Sequence, residues 1–488
     1  MAIYNTNISG GLNTKDCTAD ASKILDGYTA GVGKEIVTGT MVDNGDVSTA
    51  IVDGVLKEGY TSGGVIESMM EMPKGVVRSM TVASGCEVKK GDYVAFNDGT
   101  WGTPKQFSSV KYESWTPRAI EIGENKIFST SSPSSATNIP YWIYDVEGNT
   151  LVEKASGTIG STCAKYYPQS DMISITENKF LMVYANVNNG LNAMIVEVNN
   201  DVPTVLDDIV FSTSYPEVGM GNAKYYNTCK IGENKYLVVY LNSSNYVVGR
   251  VCKVDNDSIS LGAEKQISTS TSAYNVAVTL EDNKILVVYG GASLNAVVCT
   301  INDTTIAVGT VATVGSSRYG YYLSAFALNP NNVLICHTSG SSYTLMNIYC
   351  TINGTAVTFG ASDTAVGVSD SFYYAVAQLR DNSFLVFDTD STLKYKKTGF
   401  DMSSSSFSSL GSVSSTFAYP MQLSNGVIVV LHSGGGSSYY RYGTVQSQPT
   451  IKRAFGNQKY CVALESGTGG QTIKVLSFET NVFNYLRR

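Results

Sequence analysis

At 488 residues the chain has room for more than one domain, and its 43% hydrophobic residues, recurring in strand-length runs, exclude a disordered polymer. A net charge of −7 with only 15% charged residues argues against nucleic acid as a partner, and no basic run is expected to matter beyond Lys89-Lys90 and Arg487-Arg488. No stretch approaches the roughly 18 apolar residues of a membrane helix, so no membrane insertion is expected. Met1 to Gly10 lacks the basic start and apolar core of a secretion signal. Nine cysteines without zinc or redox spacing point to buried thiols made in a reducing compartment, Cys252, Cys299 and Cys350 falling at matching places in successive repeats.

Residues 1–45 read as an arm too poor in apolar side chains to hold a core. Thr18 or Asp20 caps a short helix over Ala21 to Leu25 that Gly27 ends, and Tyr28 to Met41 gives two strands around Gly31-Val32-Gly33-Lys34. Residues 46–103 alternate as strands with Gly and Asp turns, closing on Glu87 to Gly99. The segment 448–488 adds two more strands, Tyr460 to Gly467 and Gly470 to Leu476.

Between these flanks, 104–447 repeats one phrase. Asn125-Lys126-Ile127-Phe128 returns as Asn178-Lys179-Phe180-Leu181, Asn234-Lys235-Tyr236-Leu237 and Asn283-Lys284-Ile285-Leu286, then more weakly from Asn331, Asn382 and Asn425. The steps are 53, 56, 49, 48, 51 and 43 residues, the period of a repeat architecture. In the copy from Ala273, strands over Tyr274 to Leu280, Lys284 to Tyr289, Asn295 to Ile301 and Ile306 to Val314 make one antiparallel blade. Such a sheet needs neighbours on both faces, so the repeats predict an all-β chain with a seven-bladed β-propeller. The seventh repeat supplies only three strands of its own, Phe417 to Leu423, Val427 to Leu431 and Ser437 to Val445. Lys105-Gln106 reads like Lys265-Gln266 of an interior fourth strand, and is predicted to complete the last blade.

Thr18 to Ala30 followed by Gly33-Lys34-Glu35-Ile36-Val37-Thr38-Gly39-Thr40-Met41 resembles a segment near the start of tail and other virion proteins of phages infecting Firmicutes. Gly91-Asp92-Tyr93-Val94, Val462-Ala463-Leu464 and Gly470-Gln471-Thr472-Ile473-Lys474-Val475 resemble the two halves of a small β-barrel of phage fibre and capsid-decoration proteins, and Asn-Lys-x-Leu-Val-Val-Tyr propellers recur in phage tail fibres. The resemblance implies a split barrel holding the propeller as an insertion, behind an N-terminal attachment arm. It implies a structural virion protein on the virion surface, a tail fibre or receptor-binding component that meets other virion proteins, forms a homo-oligomer with a trimer favoured, and recognises a host-surface glycan. Capsid decoration or a head fibre is the alternative; a polysaccharide-degrading enzyme ranks third.

Chemistry is sparse. His337 and His432 occupy one repeated position, so each reads as part of the blade pattern; the acid pairs Asp207-Asp208 and Asp388 with Asp390 read as solvated turns rather than a glycosidase couple. Asp43-Asn44-Gly45-Asp46 and Asp255-Asn256-Asp257 lack the distant Glu of a calcium loop. No catalytic residue, metal or cofactor is expected. The recurrent feature is aromatic: Trp115, Tyr167, Tyr226, Tyr274, Tyr322, Tyr373 and Tyr419 precede each repeat Asn at the predicted start of every blade. Such rings either pack between blades or form a sugar-stacking rim.

Overall fold

The computed structural model describes residues 29–32, 35–38, 51–52, 55–56, 75–97, 100–106, 118–131, 138–163, 170–187, 190–213, 226–272, 274–290, 293–315, 319–339, 345–364, 374–379, 383–388, 393–398, 407–410, 415–434, 440–446, 450–453 and 461–478. All regular structure among them is β-strand. The expected helix over 21–25 lies outside the described residues. The chain divides into two compact units, Met1–Gly75 with Lys89–Gly91, and Val76–Val88 with Asp92–Arg488. In the first, Thr29–Val32 pairs with Glu35–Thr38, where two strands were expected, and Ile51–Val52 pairs with Val55–Leu56.

The second unit carries seven small antiparallel sheets arranged as a β-propeller. Blades 1 to 6 span 118–162, 171–212, 227–271, 274–314, 319–364 and 374–409, each with its strands paired in chain order. Blade 7 takes Ser415–Gln422, Ile428–Gly434 and Tyr440–Gln446 from the end of the repeats and its fourth strand, Lys105–Gln106, from before them. The first strands of successive blades touch around the ring, and that of blade 7 touches that of blade 1.

The repeated phrase is explained by backbone geometry. Asn125, Asn234 and Asn283 hold φ of 57°, 52° and 60°, a left-handed region that Asn tolerates better than most residues. Each carbonyl accepts a third-strand N–H, from Val146, Val254 and Ile301 at 2.7, 2.9 and 2.8 Å, a bond that Asn178 and Asn331 also make, with Val198 and Ile352 at 2.9 and 2.8 Å, without the left-handed conformation. In blade 7 the left-handed residue is Gly426, at 89°, rather than Asn425. The repeat lysine then reaches the next blade: Lys126 pairs with Asp201 and Lys179 with Asp257, at 2.6 Å, both aspartates lying in the hairpin between third and fourth strands. The Asp257 carboxylate holds the Lys179 ammonium above its ordinary pKa.

Between blades the core is apolar and close-packed. Cys252, Cys299 and Cys350 are fully buried in matching third-strand positions, as expected, and burial pushes each thiol up to about 12. The fourth strand is not continuous in blades 3 and 4, where a single strand was expected over 306–314. It breaks at Gly262 and Gly309, whose N–H groups still bond Val251 and Val298 carbonyls, each at 2.9 Å. A Cβ on Gly262 would meet the Thr304 carbonyl of the next blade at 2.7 Å, so the close approach of neighbouring blades selects glycine there.

Blade 7 repeats that arrangement with residues from the other end of the region. Gly102 N–H bonds the Val445 carbonyl at 2.8 Å. Three residues on, Lys105 and Gln106 stand opposite Gly443 and Tyr442 just as Lys265 and Gln266 stand opposite Gly249 and Val248. Beyond the propeller, strands from both flanks join in one sheet ordered Thr450–Arg453, Tyr93–Asn97, Cys461–Ala463, Thr472–Phe478 and Gly75–Thr81. Val82, Val88, Val94, Ala463, Ile473 and Val475 form its core. The propeller is thus an insertion between two halves of a small β module.

Candidate functional site

Of the seven sequence-selected aromatics, three have described side chains. Tyr226 is 7% exposed and packs in the core between blades 2 and 3. Tyr419 packs on the core between blades 7 and 1, with the Arg118 guanidinium 4.9 Å above its ring. Tyr274 opens the first strand of blade 4, half-buried. Tyr322 lies in the strand Tyr319–Asn329, its side chain outside the described residues, as are Trp115, Tyr167 and Tyr373 altogether. Tyr226 and Tyr419 enter separate inter-blade clusters rather than one shared surface.

His337 is 3% exposed with Nδ1 3.3 Å from the Thr338 carbonyl, and burial lowers its pKa to about 4. His432 is fully buried with Nε2 3.3 Å from Thr444 Oγ1. Asp207 and Asp208, neighbours on one strand, turn to opposite blades: Asp207 accepts Ile259 N–H at 2.7 Å from blade 3, while Asp208 accepts the Ser161 hydroxyl of blade 1 at 2.7 Å and the Tyr184 hydroxyl at 2.8 Å. They face apart. Asn256 and Asp257, at φ 46° and 68°, are hairpin residues, as the turn reading expected.

A different place breaks the repeat. Strand pairing puts Ile143, Ile195, Val251, Val298, Tyr349, Lys397 and Val445 at one third-strand position, each facing the following blade. Lys397 is the charged member. From the following blade, Leu261 pairs with Cys252 in blade 3 and Val308 with Cys299 in blade 4, whereas blade 7 pairs Trp101 with Gln446. The seams that elsewhere hold Leu, Val and Cys therefore hold Lys397, Trp101 and Gln446 between blades 6 and 7.

The consequence is a recess of about 420 Å³ lined by Thr100, Trp101, Leu385, Tyr395, Lys397, Ile428 and Gln446. Register explains who meets there: Leu385 is opposite Lys397 and Phe387 opposite Tyr395, so all four share the blade 6 face that looks toward blade 7. Trp101 packs on Tyr395 with centroids 5.1 Å apart and edge-on to Phe387 at 6.5 Å. Its indole Nε1 is buried with no hydrogen-bond partner among the described residues. A buried indole N–H that finds no acceptor costs about 1–3 kcal/mol, so this donor is a local cost of the seam. Composition did not reveal this site because Trp101 falls in the flank assigned to the β module. The available signal was the basic run Lys394-Tyr395-Lys396-Lys397 in an acidic chain.

Fold and recess together define a seven-bladed β-propeller with an aromatic, singly charged cleft at its closing seam. No protein-family model matches the chain, and no curated protein matches it. Solved structures do: the polysaccharide lyase Uly1 at 9% identity, covering 76% of this chain and 100% of that one with a TM-score of 0.43. A protein of unknown function from Dyadobacter fermentans matches at 12%, covering 78% and 99% with 0.42. The SapL1 lectin in complex with alpha methyl fucoside matches at 10%, covering 59% and 93% with 0.38. These are likenesses of architecture; the chemistry of this chain is read from its own residues.

Proposed function

We propose that the chain is a structural virion protein of a tailed phage or phage-like particle, in which the propeller is displayed to recognise a glycan on the host surface and binds it without turnover. The observation that carries the recognition half is the recess between blades 6 and 7. Two aromatic rings in tilted contact and a short set of polar groups suit a sugar ring, which asks for an apolar face to cover its C–H surface and polar partners for its oxygens. The virion half is supported by the resemblances of residues 18–41 and of the split β module. In this reading residues 1–45 attach the protein to other virion proteins, as a homo-oligomer with a trimer favoured.

The test has two parts. Gold-labelled antibody against the propeller, viewed on intact particles, is expected at the tail end; label over the capsid replaces the tail-fibre assignment with capsid decoration. Purified protein is expected to bind host cells, and Tyr395→Leu, which removes one ring while keeping apolar contact with Trp101 and Phe387, to weaken binding at least about tenfold with the protein still folded at the assay temperature. Undiminished binding by that variant would remove the recess from the proposal.

A further inference from the structure

Asn-Gly pairs occur in the sequence at 44–45, 189–190, 353–354 and 425–426. The pair is chemically special, because the glycine amide has no side chain to shield it from the asparagine side-chain carbonyl just before it. In the last two pairs both residues are described, and the fold treats them oppositely. Asn425 is 1% exposed; its Oδ1 accepts the Val427 N–H at 3.1 Å, its Nδ2 donates to Asn125, and the Gly426 N–H donates to the Leu423 carbonyl at 2.9 Å. Side-chain amide and attacking nitrogen are both engaged there. Asn353-Gly354 instead forms the exposed tip of the hairpin between the third and fourth strands of blade 5. Asn353 stands opposite Ala356, and Gly354, at φ 61°, lies beyond the last paired residues of the ladder, so its N–H is not committed to it.

We infer that Asn353 is a site of spontaneous deamidation in the folded protein. The Gly354 amide nitrogen adds to the Asn353 side-chain carbonyl carbon, the bond to Nδ2 breaks, and ammonia leaves with the amide proton, closing a five-membered succinimide. Solvent water then opens the ring at either carbonyl. One opening gives aspartate; the other gives isoaspartate, whose main chain runs through the former side chain and gains one methylene. No oxidant or reductant takes part, and both products carry a carboxylate where the amide stood. The location gives the reaction a consequence. Thr355, next in the same turn, packs over Gly309 of blade 4, its Cβ 3.4 Å from the place a β-carbon there would take. At this end of earlier seams a lysine bridges the blades, Lys126 to Asp201, Lys179 to Asp257 and Lys253 to Asp303. Lys284 of blade 4 pairs at 2.9 Å with Glu281 of its own blade. An added methylene lengthens the two-residue turn and displaces Thr355, so conversion loosens the seam between blades 4 and 5 at this end.

Peptide mass spectrometry of the full chain, aged in mildly alkaline buffer beside the same protein unfolded in urea, tests this. In the folded sample the Asn353 peptide is expected to gain the mass difference of an acid over an amide and to split into aspartate and isoaspartate forms, while the Asn425 peptide stays unchanged. In urea both pairs should convert. Folded protein in which Asn353 converts no faster than Asn425 overturns the inference. Asn353→Gln, whose longer side chain would have to close a less favoured six-membered ring, should stay unconverted and supplies the control for the seam. Aged native protein is expected to melt below fresh protein in proportion to its isoaspartate content, and aged Asn353→Gln to melt with its fresh counterpart. Equal melting of aged and fresh native protein, with Asn353 converted, would remove the effect on the seam and leave the modification site standing.

Discussion

Asn234 and Asn283 turn the chain at φ of 52° and 60°, so alanine at either position must enter a region that costs most residues about 1–2 kcal/mol. Asn283→Ala is expected to lower stability by about 1 kcal/mol in urea titration, and Asn283→Gly to be close to neutral. The same geometry shows how far the sequence could be read at this scale. The Asn-Lys phrase located the turns, but the seventh copy was aligned one residue early, because Asn425 keeps the letter while Gly426 takes the conformation. His337 makes a second residue-scale prediction. Its folded pKa is about 4, below the ordinary value near 6.5, so between those values the unfolded chain takes the proton the folded chain refuses. That contribution is fully present above about pH 6.5 and is lost as pH falls toward 4, up to about 3 kcal/mol. Denaturant midpoints of the native protein and of His337→Leu, compared across that window, should show a flatter dependence in the variant. The buried thiols of Cys229, Cys252 and Cys299, pushed up to about 12, should resist alkylation until the propeller unfolds, which peptide mass spectrometry reads directly.

At the scale of the strand, the closure of the ring was legible and the recess beside it was not, for one reason. Lys105-Gln106 repeats Lys265-Gln266 in letters as well as in register, so like pointed to like. Trp101, four residues earlier, occupies the place of Leu261 and Val308 but shares no letter with them. The letter that carries over is the next one: Gly102-x-x-Lys105-Gln106 repeats Gly262-x-x-Lys265-Gln266, and the hydrogen bonds of Gly102, Gly262 and Gly309 to Val445, Val251 and Val298 show the same equivalence in the structure. These glycines also yield a prediction. A Cβ on Gly102 would lie 2.3 Å from the backbone carbonyl oxygen of Asn149 in the hairpin of blade 1, and backbone cannot step aside cheaply. Gly102→Ala should therefore destabilise the protein by about 1–3 kcal/mol, seen as a lower melting temperature and faster proteolysis near residue 100. Equal resistance of variant and native protein would mean that the closing strand is held mainly elsewhere.

For the whole molecule, the proposed binding would be thermodynamically joined to ring closure. Trp101 and Gln446 line the recess, and both lie on the strands that close blade 7, so an occupant favours the closed ring over an opened one. At a hundredfold excess over its dissociation constant a ligand would add about 2.7 kcal/mol to the stability of the closed state. The insertion has a mechanical side as well. Both covalent crossings between the small β module and the propeller run through blade 7, from Asn97 toward Lys105 and from Gln446 to Thr450. The crossings leave from neighbouring antiparallel strands at the same end, where Trp101 bridges Gln446. A pull that separates the module from the propeller is thus divided between two adjacent strands and draws them the same way, instead of peeling one from the other. The strand that seals the ring is also one arm of a double tether, so tension between propeller and module is carried by both arms at once.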